Sequence, residues 1–152
     1  MTMLGALLTL LGCDRTGELR PGVTTAAEVR QKMGVPTMEW REGSDRIWEY
    51  PFTPAGPRTY MLTIGPDDVL KAMEQVLTPE NFAKVVPGMT REAVRRLLGK
   101  PAAVTVLDQR GQEVWDWPAE TPYLNTDAHF SAHFSLADGR VVTTSRIEQS
   151  RG

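Results

Sequence analysis

Asp127, His129, Ser131 and His133 lie in one short segment, Asp127-Ala128-His129-Phe130-Ser131-Ala132-His133. An acid, an imidazole and a hydroxyl are the parts of a nucleophilic site, and paired histidines are common metal ligands. Their spacing decides against both. In an extended strand, residues two apart share a face. The four polar side chains therefore line up, but neighbours stand about 6.5 to 7 Å apart at roughly 3.3 Å per residue. A catalytic hydrogen bond needs about 2.6 to 3.2 Å. By the same rise, His129 and His133 are about 13 Å apart, too far to share a metal held about 2.0 to 2.1 Å from each nitrogen. The alternate residues Ala128, Phe130, Ala132, Phe134 and Leu136 form an apolar face, so the segment reads as an amphipathic strand with its polar side in water. No nucleophile elbow, phosphate-cradling glycine loop or zinc spacing occurs elsewhere, and Asp67-Asp68 reads as a turn. The expectation is a protein that is not an enzyme, with no catalytic residues, no metal and no diffusible cofactor.

Composition narrows the class further. The 152 residues are 41% hydrophobic and 24% charged with a net charge of −2, which suits a globular domain and argues against a general nucleic-acid binder. No run of about 18 apolar residues is present to form a conventional transmembrane helix. Cys13 is the single cysteine, so no intramolecular disulfide can form. It ends the apolar run Leu4 to Gly12, and Leu10-Leu11-Gly12-Cys13 resembles the lipobox of bacterial lipoproteins. That resemblance implies a signal peptide over residues 1–12, cleavage between Gly12 and Cys13, and acylation of Cys13 with diacylglycerol and a fatty acid such as palmitate. Each buried methylene would contribute roughly 0.8 kcal/mol, so several chains together anchor nearly permanently. Asp14 follows the cysteine; in enteric lipoproteins an aspartate there commonly signals inner-membrane retention, so inner and outer membrane both stay open.

The elements that would position these residues come in two copies. Gly88-Met89-Thr90-Arg91-Glu92-Ala93-Val94-Arg95-Arg96-Leu97-Leu98-Gly99-Lys100-Pro101 spells a short helix. Thr90 can cap its first turn, Val94, Leu97 and Leu98 share a face, Gly99 can close it, and Pro101 prevents continuation. Gly22 to Pro36 repeats the pattern, with Thr25 and Glu28 at capping-box spacing. Gly34 to Gly99 and Pro36 to Pro101 are both 65 positions apart. Ile47-Trp48-Glu49-Tyr50-Pro51 returns as Val114-Trp115-Asp116-Trp117-Pro118, with Trp48 and Trp115 67 positions apart. Two echoes in one order make this a duplicated unit.

The spacing predicts a tether over 13–21, a helix from Thr25 to Met33, and strands at Thr37 to Arg41, Arg46 to Tyr50, Thr59 to Ile64 and Val69 to Val76. A second helix, capped by Thr78 with Pro79 at its first position, is predicted to run to Val86. The helix after Thr90 makes with it a helix-turn-helix pair, whose Arg91, Arg95 and Arg96 read as a solvated face. The strands Ala103 to Asp108, Glu113 to Trp117, Asp127 to Leu136 and Arg140 to Glu148 then repeat the sheet, leaving 149–152 as a tail. The fold class is α+β: two tandem units, residues 22–76 and 77–149, each an antiparallel sheet with helices on one face.

The aromatics are the functional candidates. Trp48 and Tyr50 share a strand face, as do Trp115 and Trp117, with Trp40 on a neighbouring strand. These rings either cover the core or stand on the sheet face opposite the helices as a partner-binding patch. The repeated Gly-Met/Val-Thr…Val…Gly-x-Pro motif, the Trp strand and the amphipathic hairpin resemble the SmpA/OmlA (BamE) lipoprotein family, most closely over Leu77 to Thr90. The doubled unit is also similar to the tandem repeat of β-lactamase inhibitory protein. The first resemblance implies a periplasm-facing lipoprotein, held by its lipid, that acts as a binding or scaffold module beside the β-barrel assembly machinery of the outer membrane. The second implies an inhibitor-like module that clamps a periplasmic enzyme.

Overall fold

The computed structural model describes residues 15–51 and 56–152; Gly12, Cys13 and Asp14 lie outside the described residues. α1 (Ala26–Met33) precedes a meander of β1 (Met38–Glu42), β2 (Asp45–Pro51), β3 (Thr59–Ile64) and β4 (Leu70–Gln75). α2 (Pro79–Ala83) and α3 (Arg91–Leu98) precede a second meander, β5 (Ala103–Leu107), β6 (Gln112–Ala119), β7 (Thr126–Ser135) and β8 (Val141–Ser150). The described strands form two separate antiparallel four-stranded sheets, in the orders β1-β2-β3-β4 and β5-β6-β7-β8. This is the α+β class that the doubled sequence pattern predicts. No helix among the described residues is long and apolar enough to cross a membrane.

The duplication extends to individual hydrogen bonds. Thr25 and Glu28 form a reciprocal capping box on α1, while Thr90 accepts from the Ala93 amide on α3. Gly34 and Gly99 close the two helices with φ of 81° and 79°. Each C-cap carbonyl is then held by the second aromatic of its unit's Trp strand: the Tyr50 hydroxyl donates to Gly34 O at 2.9 Å, and Trp117 Nε1 to Gly99 O at 3.1 Å. A ladder irregularity at Thr63/Ile64 in β3 returns at His133/Phe134 in β7. The helix, its end and the sheet beneath it are thus one locked unit, built twice.

The layers run α1, first sheet, α2 with α3, second sheet. In β2 the odd and even residues face opposite ways. Trp48 and Tyr50 pack with Val29, Leu62 and Ile64 under α1, and Ile47 packs with Met61 and Val76 on the other side. Burial of apolar area at roughly 25 cal/mol per Å² is the main stabilising term in each layer. The second core gathers Val94, Leu98, Trp117, Phe130 and Phe134 between α3 and the second sheet.

Several expectations need correction. Among the described residues, helices on one face hold for the second sheet, whereas the first has α1 on one side and the α2–α3 pair on the other. Of the segment 13–21, expected as a tether, the described part is folded: Arg15–Glu18 is a 3₁₀ turn and Thr16 and Leu19 are buried, Leu19 within the core under α1. α2 ends at Ala83, not Val86, because the Lys84 and Val85 amides turn back to Asn81 O and Phe82 O, three residues away, and a residue before proline disfavours the helix. β6 runs on through Pro118 to Ala119, and β8 takes in Gln149 and Ser150, which pair with Asp127 and Thr126.

Gly34 and Gly99 have φ near +80° with extended ψ, a region open essentially to glycine. A Cβ at Gly34 would meet nothing within 4 Å, whereas one at Gly99 would lie 2.7 Å from Thr59 Cγ2. Gly34→Ala is expected to cost about 1–3 kcal/mol from strain alone, and Gly99→Ala measurably more in urea unfolding. Burial also pushes the Tyr50 phenol up to about 12, against a lowering by Arg30. A raised pKa stabilises the fold below the unfolded value near 10 and is lost as pH climbs towards 12. The urea midpoint of the protein should therefore fall towards that of Tyr50→Phe over this window.

Candidate functional site

The halves meet at a buried ion pair. Glu49 has no exposed surface. Arg95 of α3 grips it as a fork, with Nε 3.1 Å from Oε2 and Nη2 3.0 Å from Oε1, and Thr37 Oγ1 donates to Oε1 at 2.7 Å. Parity along β2 puts this carboxylate on the face away from α1, and the C-cap of α3 sits beside it over Thr59 and Met61. A carboxylate taken fully out of water survives only with a paired, well-oriented cation. Arg95 supplies it from the other unit, which fixes how the second half sits on the first.

Beside this pair, a cleft of about 210 Å³ opens between the first sheet and α2–α3. Ile47, Met61 and Val76 form its apolar floor, and half-buried Trp40 stands at its side, donating from Nε1 to Glu42 at 3.3 Å. Glu74, Lys84 and Arg96 bring charges of both signs to the lining. Lys84 bonds Asn81 Oδ1 at 3.0 Å and Arg96 pairs with Glu92 at 2.8 Å. Small-molecule sites are typically about 300 to 1,000 Å³, so a cleft of this size suits an inserted side chain. An apolar floor, an indole wall and a charged rim are the makings of a protein contact.

The other predicted aromatics take different places. Trp48, Tyr50 and Trp117 are buried and contribute to the cores, so an exposed partner-binding role for these three is corrected. Strand parity placed each pair on one face; only the position of the helices says that the face is inward. Arg30 stacks 4.4 Å from the Trp48 ring centroid. Trp115 is half-buried against Phe134, with centroids 4.8 Å apart, and donates to Glu113. Of the five, Trp40 is the one brought to the cleft.

The polar strand spreads across the outer face of the second sheet. Asp127 pairs with Arg151, whose hydrogen bond holds its carboxyl below the usual range. His129 is exposed. His133 spans three strands, 3.3 Å from both Gln112 Oε1 and Ser145 Oγ. Ser131 donates to Asp116 on β6, a partner that strand spacing could not reveal because it depends on cross-strand register. The serine hydroxyl is thus held by a carboxylate, not by a histidine. Among the described residues no three of His, Cys, Asp and Glu group to hold a metal ion.

Residues 74–120 match the family model of the outer membrane protein assembly factor BamE domain. The BamE match runs from the end of β4 through β6. It includes Arg95, Gly99 and the α2–α3 side of the cleft. The resemblance read from the sequence is carried by this segment. A search of curated proteins gives no match. Among solved structures, a candidate β-lactamase inhibitor protein from Streptococcus mutans is 12% identical, with 82% of each chain covered and a TM-score of 0.34.

Arg95→Ala strands the Glu49 charge and should cost about 3–5 kcal/mol in urea unfolding. Replacing both partners at once, Glu49→Leu with Arg95→Met, should recover most of that loss.

Proposed function

We propose that the protein is a non-enzymatic, membrane-anchored lipoprotein of the cell envelope, a BamE-type binding module that supports outer-membrane protein assembly. The observation that carries this reading is the BamE match over residues 74–120, whose helix pair forms one side of the Trp40 cleft. Cys13 would carry the covalent lipid after cleavage behind Gly12, and would hold the folded part at the periplasmic surface of the membrane. The matched family makes the outer membrane the favoured home, with Asp14 leaving the inner membrane open. The partner would be a subunit of the β-barrel assembly machinery that inserts an apolar side chain against Ile47, Met61 and Trp40. Tryptophan at such a position commonly carries 2 kcal/mol or more of binding free energy, roughly thirtyfold in affinity.

The test is quantitative co-purification from detergent-solubilised membranes. Cys13→Ala should abolish labelling by a fatty-acid analogue. Trp40→Ala should leave the protein in the membrane and folded, yet recover at least tenfold less of the assembly subunits. A Trp40→Ala variant that recovers them as well as the unaltered chain would show that the cleft is not the contact.

A further inference from the structure

Among the described residues, one half of the interface between units is left uncovered at α1 and the other on the outer face of the second sheet. On the first sheet, the face bearing Glu49 is closed by the side of α3 that carries Arg95 and Gly99. By the 65-residue offset of the helices, Arg95 corresponds to Arg30 and Gly99 to Gly34. By the 67-residue offset of the Trp strands, Glu49 corresponds to Asp116. Tyr50 lies opposite Tyr60 and Trp117 opposite Phe130, so Thr59 and Met61, which receive Gly99, correspond to His129 and Ser131. At that place on the second sheet lies an open depression of about 280 Å³, lined by Ala103, Asp116, His129, Ser131, Ile147 and Gln149. Asp116 has Ser131 as its hydrogen-bond donor, and no lysine or arginine among the described residues pairs with it.

The complementary half is on α1. The Arg30 side chain is 44% exposed, lies 4.4 Å over the Trp48 ring and pairs with Glu39, itself 40% exposed, at 3.2 Å; moving it to a new partner costs the ring contact, while the surface pair opposes rearrangement only weakly. A Cβ on Gly34 would meet nothing within 4 Å, so this helix end has the room that the end of α3 has used up. Val23 and Val35 flank the two ends of α1, 70% and 79% exposed, and Ile147 is half-exposed beside the depression.

We infer that the outer face of the second sheet receives α1 of a second copy of this chain. In that contact Arg30 of one copy pairs with Asp116 of the other, and the Gly34 turn seats over His129 and Ser131. The step from copy to copy repeats the step from unit one to unit two. Such a contact is heterologous, and two copies leave a free half at each end, so association proceeds head to tail. The surfaces involved are separate from the Trp40 cleft, and the inference does not depend on that cleft or on the lipid.

Sedimentation equilibrium of the full chain carrying Cys13→Ala, which keeps acylation from driving association, tests this directly. The weight-average mass should rise from 16.9 kDa with concentration over the roughly micromolar to millimolar range. Asp116→Arg alone and Arg30→Asp alone should each weaken association at least tenfold, by setting like charges against each other. An equimolar mixture of the two variants should associate again, because each then meets the opposite charge on the other. A monomer at all concentrations, association indifferent to both substitutions, or a mixture that stays monomeric would each overturn the proposal.

Discussion

The contact between Glu49 and Arg95 is the constraint on which the arrangement rests. A carboxylate withdrawn from water is tolerable only beside a well-placed cation, and here the fork of the partly exposed Arg95 and the Thr37 hydroxyl satisfy Glu49 completely enough for it to be fully buried. That requirement admits little sliding between the halves. It brings the C-cap of α3 onto the first sheet, where an ordinary side chain in place of Gly99 would collide with Thr59. One helix therefore serves two layers, its Val94 and Leu98 filling the second core while Arg95 and Gly99 address the first sheet.

This double use explains why the copies, so similar in sequence, differ in role. The first sheet is covered on both faces and can carry a buried carboxylate. Among the described residues the second is covered on one, and the corresponding Asp116 is satisfied by a neutral hydroxyl instead. Arg30 and Arg95 hold corresponding helix positions, yet one lies over the Trp48 ring of its own unit and the other crosses to its neighbour. On the polar strand Asp127, Ser131 and His133 are each held by different partners, Arg151, Asp116 and the Gln112 and Ser145 side chains.

Much of this was legible from residue types. Thr25, Thr90, Gly34 and Gly99 mark helix ends through backbone chemistry that is local, and the repeat announced itself through them. Strand parity paired Trp48 with Tyr50 and Trp115 with Trp117, and Ala128 with Phe130 as core. What parity cannot supply is which side a helix from elsewhere will cover, so the inward burial of Trp48, Tyr50 and Trp117 and the special place of Trp40 emerged only with the layers. Nothing in the strand pattern marks Glu49, because its partner lies 46 positions away. The Ser131–Asp116 and His133–Gln112 bonds likewise depend on register between strands, which no single strand encodes.

If the buried pair does bind two units into one body, they must open together. Native-state hydrogen exchange measures this most directly. The account predicts that slowly exchanging amides of β2 and of β6 share one opening free energy, equal to that of global unfolding, and fall together when Arg95 is removed. Amides of the first sheet that open at a distinctly lower free energy than those of the second, and stay unmoved by Arg95→Ala, would contradict it.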